Sequence, residues 1–189
     1  QWVIALALPR LEKRLIYRDE DDEQMSKLQQ LSERALSEND LLQLIEAMLE
    51  ALCDYLRIEK AFVVSLGDDK PELLRAIGNI GFSNGELTQE LAAITSNSDA
   101  VNTIGTIKTI PWNGFWVISL YGKRKTSLDL PLDIGLLAIQ ALSEDFSIGS
   151  DEYRSLQTYV RRIAKAVDDI LLMKEIYTAL EGLLPQLVI

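Results

Sequence analysis

None of the 189 residues is histidine, so any chemistry in this sequence must work without imidazole. That removes the usual general base near neutral pH, the commonest metal ligand and every Ser-His or Cys-His pair. Cys53 is the sole cysteine, which rules out an intrachain disulfide or a thiolate cluster. It lies inside an apolar helical run and reads as a structural thiol, because nothing there would activate it. Carboxylates are abundant, but abundance does not pair them in space, so no acid/base pair can be assigned. The consecutive acids Asp19 to Glu23 lack the spaced oxygen ligands of an EF-hand. GNIG and SIGS contain turn glycines without a complete phosphate-binding pattern. The expectation is a protein with no catalytic site and no metal.

Ligand binding is the chemistry that remains. Trp112, Trp116 and Tyr121 offer large apolar surfaces with polar edges, Ser119 a hydroxyl, and Arg75 a partner for a carboxylate or phosphate. These five are the ligand-binding candidates. Trp116 also reads as sheet core, and Arg75 as a surface or ion-pair residue. Strand alternation separates Phe115, Val117, Ser119 and Tyr121 from Trp116, Ile118 and Leu120. The second set is the more uniformly apolar and is expected to meet the helices, which makes Ser119 and Tyr121 the better cavity residues.

A net charge of -10 opposes binding to phosphate backbones and anionic lipid, so no nucleic-acid partner is expected. The short basic run KRKT at 123–126 reads as a solvated loop. The opening QWVIALALP is too short to span a bilayer and lacks the basic segment of a secretory signal. The expected location is the cytoplasm, either free or as the cytoplasmic part of a membrane-anchored protein.

The elements that must position these groups follow from periodicity. Residues 11–35 carry amphipathic helical stripes, with an acidic solvated cluster between them. In SENDLLQLIEAMLEALCDYL, Leu41, Leu44, Ile45, Met48, Leu49, Leu52 and Leu56 make one wide apolar face, with Ser37 and Asn39 as caps. AFVVSL and ELLRAIGNI read as a hairpin joined through GDDKP. Ser83 and Glu86 form a capping-box pattern before a short helix over 86–94. Residues 101–110, FWVISLYG and DIGLLAIQAL read as further strands, with KRKTSLDLPLD as a connection. Ser150 is expected to cap a helix over 151–180, about 45 Å long at 1.5 Å per residue. Leu156, Val160, Ile163, Val167 and Ile170 recur at four and three residues along it, a coiled-coil-like stripe and the predicted dimer interface.

Over residues 38–174 this order resembles the GAF domain family. The resemblance rests on LLQLIEAMLEALCDYL, AFVVSL, and the succession PWNGFWVISLYG, DIGLLAIQAL and DFSIGSDEYRSLQTYVRRIAKAVDDIL. PAS-like sensor domains are the nearest alternative. The resemblance implies an α+β fold with a central, mainly antiparallel sheet. It places the terminal helices on one sheet face and a ligand cavity on the other. It also implies a non-enzymatic sensor or regulatory domain of a signalling protein such as a histidine kinase, with homodimerisation through terminal helices and a covalently linked output domain. The alternative is a ligand-free dimerisation or protein-interaction scaffold. The residues identify no cofactor. Covalent bilin is disfavoured because Cys53 lies in the first helix and histidine is absent, which also excludes histidine-ligated haem within this chain. The expected organisation is a helical linker at 1–36, a GAF-like domain at 37–174 and a helical extension at 175–189 leading toward an output domain.

Overall fold

The computed structural model describes residues 37–67, 70–83, 85–87, 89–91, 102–104 and 107–183. The expected linker at 1–36 and the end of the extension, 184–189, lie outside them, as do residues 68–69 of the first hairpin turn and 92–94 of the short helix. All the described elements fall in the unit Glu38–Ile189.

Two helices and six strands are labelled in chain order: α1 (Glu38–Leu56), β1 (Ala61–Leu66), β2 (Pro71–Ile77), β3 (Asn102–Ile104), β4 (Ile107–Trp112), β5 (Phe115–Lys125), β6 (Pro131–Gln140) and α2 (Ser150–Leu183). The strands form one antiparallel sheet in the order β2-β1-β6-β5-β4-β3. Helices α1 and α2 pack on each other; α1 also meets β1 and β2, while α2 meets β5 and β6. This is the GAF-like α+β architecture that the sequence order resembles.

Each helix ends where backbone chemistry dictates. Helix α1 closes with Arg57 in the left-handed region (φ 56°). The Ile58 N–H then donates to the Cys53 carbonyl at 3.0 Å and the Arg57 N–H to the Asp54 carbonyl at 3.4 Å. This crossed pair is a Schellman closure, normally built with glycine. The cap of α2 is Gly149, one residue before the expected one: the Gly149 carbonyl accepts from the Tyr153 N–H, and the Glu152 carboxylate accepts from the Gly149 N–H at 3.0 Å. The carboxylate supplies the reciprocal half of a capping box, so Ser150 is already helical.

One connection is shorter than the sequence indicates. β5 runs through Lys125 and β6 begins at Pro131, so most of KRKTSLDLPLD is strand and the loop is 126–130. Thr126 closes it: its N–H donates to the Leu130 carbonyl, and its carbonyl accepts from the Asp129 N–H. Cross-strand pairing outweighs the polar composition on which a loop assignment rests. The β4–β5 turn is Asn113-Gly114, both at positive φ, the combination a tight right-twisting hairpin requires.

Burial divides the sheet into two faces. On one, Phe62, Val64, Phe115, Val117, Leu136 and Ala138 form a buried cluster with Leu87 and Leu91. On the other, Trp116, Ile118 and Leu120 of β5 are buried in alternation with the first set, toward the helices. The helices bury Leu41, Ile45, Leu49 and Leu52 of α1 and Leu156, Ile163, Val167 and Ile170 of α2.

Candidate functional site

The sheet face away from the helices carries an aromatic cluster. Phe62 of β1 meets Phe115 of β5 edge-to-face at 5.1 Å and Trp112 of β4 at 6.3 Å. Phe82 lies 5.0 Å from Trp112 on the rim. Offset and edge-on contacts match the ring quadrupoles and hold the rings in defined orientations. Leu87 and Leu91, from the helical residues 85–87 and 89–91, cover this cluster. Two contacts place the cover. Ser83 and Glu86 make the predicted cap, with the Ser83 N–H and hydroxyl both donating to the Glu86 carboxylate at 2.9 and 2.8 Å. Those bonds hold the Glu86 pKa below the ordinary carboxylate value. The Asn113 amide, at the β4–β5 turn, donates to Glu90 at 3.0 Å and ties the cover to the sheet.

The five ligand candidates do not converge. Trp112 belongs to the aromatic face, half-buried against Phe82 and Phe62. Trp116 is buried on the opposite face, 5.4 Å from Phe146. Arg75 is on β2, where it donates to Glu46 of α1 at 3.2 Å and to the Leu74 carbonyl at 2.8 Å. It therefore ties the sheet edge to a helix. Ser119 hydrogen-bonds Asp133, whose pKa is raised by burial of its carboxyl, against the opposing effects of Ser119 and the Lys108 charge. Tyr121 is exposed where β5 extends past β4, and lines a groove there together with Ser119.

The predicted dimer stripe requires correction. Leu156, Ile163, Val167 and Ile170 are each 0% exposed within the single chain, so they cannot meet a partner; Val160 is half-buried beside the same groove. A three–four spacing states only that a helix has an apolar face, and here the sheet and α1 occupy it. The exposed apolar residues of α2 lie farther on: Leu172 (49%), Ile176 (50%), Tyr177 (58%) and Leu180 (53%).

An ion-pair cluster missed at the sequence level holds α2 where these residues begin. Lys174 reaches both Glu72 of β2 and Glu38 of α1, and Arg124 of β5 meets Glu175 at 2.7 Å. The basic run at 123–126 is thus divided: Arg124 binds α2, and Lys125 pairs with Asp129 across the loop. Neither partner set is readable from spacing, since Lys174 and Glu72 are 102 residues apart. Burial works against the Lys174 charge, but hydrogen bonding and attraction from Glu72 and Glu38 outweigh it, so its pKa is raised. A raised cationic pKa contributes stability that is complete below the unfolded value and is lost as pH rises through the folded one. Lys174→Met is expected to cost under ~1 kcal/mol at neutral pH, the groups being well exposed. In paired denaturation curves the difference should vanish as pH climbs above about 10.4.

Cys53 is buried in α1, and its pKa is pushed up to about 11 by burial, with Asp54 and Glu50 adding repulsion. At pH 8 this leaves roughly a hundredth of the thiolate that an unperturbed cysteine carries. Alkylation by iodoacetamide, followed by mass spectrometry, is expected to be at least ~100-fold slower in the folded chain than in denaturant. Equal rates would place the thiol at the surface. Among the described residues there is no group of three or more Cys, Asp or Glu side chains able to hold a metal, and no helix long and apolar enough to cross a membrane.

No protein-family model and no curated protein matches the chain. Among solved structures it is similar to the GAF domain of a protein named as a sensor histidine kinase from Pseudomonas syringae pv. tomato, at 12% identity over 85% of this chain and 99% of that one, with a TM-score of 0.46. It is also similar to residues 122 to 287 of a methyl-accepting chemotaxis protein, at 18% identity over 77% and 98% of the two chains, with a TM-score of 0.47. A third likeness is to a far-red cyanobacteriochrome photoreceptor, at 13% identity over 81% and 98%, with a TM-score of 0.45.

Proposed function

We propose that this chain is a GAF-like regulatory sensor domain, without catalytic activity, acting in the cytoplasm within a multidomain signalling protein. It takes a small apolar molecule non-covalently on the aromatic face and transmits its presence through α2. One observation carries this reading. α2 is continuous for 34 residues; its first half is core, and its second half presents Leu172, Ile176 and Leu180 outward. The same strand links the two ends of this route: β5 gives Phe115 and Val117 to the aromatic cluster and Trp116, Ile118 and Leu120 to the helix side. A molecule wedged beside Phe115 favours one placement of β5, and hence one seating of α2. That is a population shift and involves no bond making.

The test is a metabolite screen by native mass spectrometry and thermal shift, with ¹H–¹⁵N spectra of each hit. The expected hit raises the melting temperature and shifts the Phe62, Trp112 and Phe115 amides, and Trp112→Ala weakens it. A hit whose shifts avoid these residues, or a broad screen without hits, would overturn the ligand half of the proposal.

The exposed stripe at 172, 176 and 180 favours a second reading, a ligand-free scaffold that homodimerises through the end of α2. Ile176→Glu with Leu180→Glu should then weaken self-association in analytical ultracentrifugation while leaving the melting temperature unchanged. A wild-type chain that sediments as a monomer at every concentration counts against it.

A further inference from the structure

The surroundings of α2 change after Ile170. Up to that point the helix is seated in the core, with Leu156, Ile163, Val167 and Ile170 fully enclosed, and the Lys123 N–H of β5 donates to the Asp168 carboxylate at 3.3 Å. α2 comes this close because residue 122 is glycine: a Cβ there would sit 2.9 Å from an Asp168 carboxylate oxygen. From Leu171 to Gly182 no residue is buried, and those from Glu175 to Gly182 are all exposed. The helix nevertheless continues unbroken to Leu183.

Beneath this second part lies a cavity of about 690 Å³, with Ser65, Leu132 and Ile134 on the sheet side and Leu171, Thr178 and Ala179 on the helix. Small residues on both sides leave it open: Ser65 and Gly67, where β1 ends, and Thr178 and Ala179 have side chains too short to fill the space at the density of a core. The helix is fastened at the rim by charge instead. Lys174 reaches Glu72 of β2 and, at 3.6 Å, Glu38 of α1, while Glu175 meets Arg124 of β5 at 2.7 Å. Two adjacent residues are thus tied to three different elements. The side chains of these pairs are 36–56% exposed. Pairs so open to water are weakened by salt, and each shifts an equilibrium by a factor of about five or less.

We propose that residues 171–182 form a strap that this ionic clasp holds shut over the cavity, and that the strap lifts away while the rest of the domain stays folded. Lifting exposes little apolar surface, since no residue of the strap is buried, and it separates the ion pairs at the rim. The balance between the two positions is therefore within reach of salt or of a competing charged surface. The seated half, fixed by its enclosed residues and by Asp168, marks where movement begins. The inference rests on the reading of α2 as the output route and names what holds that route. It requires no ligand, so its failure leaves the proposal for the aromatic face intact.

The experiment places spin labels at Ala47→Cys, exposed on α1, and at Glu181→Cys in the strap, in the full chain carrying Cys53→Ala, and measures their separation by double electron–electron resonance. Raising sodium chloride from about 0.05 M to about 0.5 M shrinks the screening length roughly threefold and should populate a second, displaced distance. Arg124→Glu with Lys174→Glu should enlarge that population about fivefold or more at low salt, with the circular-dichroism spectrum and melting temperature close to those of the parent. Arg124→Glu with Glu175→Arg, which restores the pair with its charges exchanged, should return the strap to the closed distance. Lys165→Gln removes the pair with Asp169 on the seated half and should leave the distance unchanged. Hydrogen exchange of the chain without labels or Cys53→Ala gives a second reading: the same salt and variants should speed exchange at 175–182 and spare 160–170. A single distance that neither salt nor the charge reversal alters, a displacement that the exchanged pair does not reverse, an equal displacement by Lys165→Gln, or unfolding of the whole domain by the reversal would each overturn the proposal.

Discussion

Ile163→Asp is expected to unfold the domain at room temperature. Ile163 is 0% exposed in the middle of α2, and among the described residues no lysine or arginine is buried that could pair with an introduced carboxylate. Truncating such a residue to alanine costs about 2–5 kcal/mol from transfer and cavity alone. Adding a buried, unpaired charge costs several more, which together approaches the ~5–15 kcal/mol that holds a domain of this kind folded. Val167→Asp should behave alike, because Val167 packs onto the sheet over Gly135, where a Cβ would lie 3.4 Å from it. Circular dichroism and sedimentation distinguish the two roles this stripe has been given. Loss of the folded signal is the result expected of a core stripe. A folded monomer with the native spectrum would instead restore the stripe to a subunit interface.

Gly78→Ala, just past the end of β2, should be far more damaging than Gly114→Ala in the β4–β5 turn, which is its internal control. Both glycines are left-handed, with φ of 73° and 79°. A side chain at either pays about 1–2 kcal/mol for that conformation, part of which is regained because alanine loses less entropy on folding. At Gly114 nothing lies within 4 Å of the added methyl, so the cost stops there, near ~1 kcal/mol. At Gly78 the methyl overlaps the Glu59 carbonyl oxygen, a backbone atom that can yield only by shifting the residues leading into β1. That movement disturbs the Ala61–Ile77 pairing and is expected to raise the total to about 3 kcal/mol or more. Urea denaturation of the two variants should therefore differ in midpoint by far more than their common φ penalty. Equal losses would mean that the chain before β1 relaxes freely around the methyl.

Much of the architecture was legible because it rests on local periodicity. The α1 face from Leu41 to Leu52, the Ser83–Glu86 cap, the Asn113-Gly114 turn and the alternation along β5 all follow from residues within a turn or two of each other. The β5 alternation also correctly put Trp116, Ile118 and Leu120 on the helix side. The site was less legible. Arg75 was read as either a ligand contact or an ion-pair residue; its pairing with Glu46 spans 29 positions, and spacing could not choose between the two. The loop at 123–133 was overestimated because lysine, arginine and serine look solvated in sequence, although β6 pairs with β5 as far as Lys125–Pro131.

The sequence by itself determined which segments become helices and strands, which face of each is apolar, and that histidine chemistry is absent. Those properties depend on side chains three, four or two positions apart and on residue identity. Only the tertiary structure decided what each apolar face covers. The Leu156–Ile170 stripe went to the sheet and α1, and the exposed apolar residues of α2 began beyond Leu171. It also decided that Lys174 meets both Glu72 and Glu38, because strand register and helix packing bring together residues that are remote along the chain. Burial and electrostatics act between whatever surfaces meet, and that meeting is set by the folded chain as a whole.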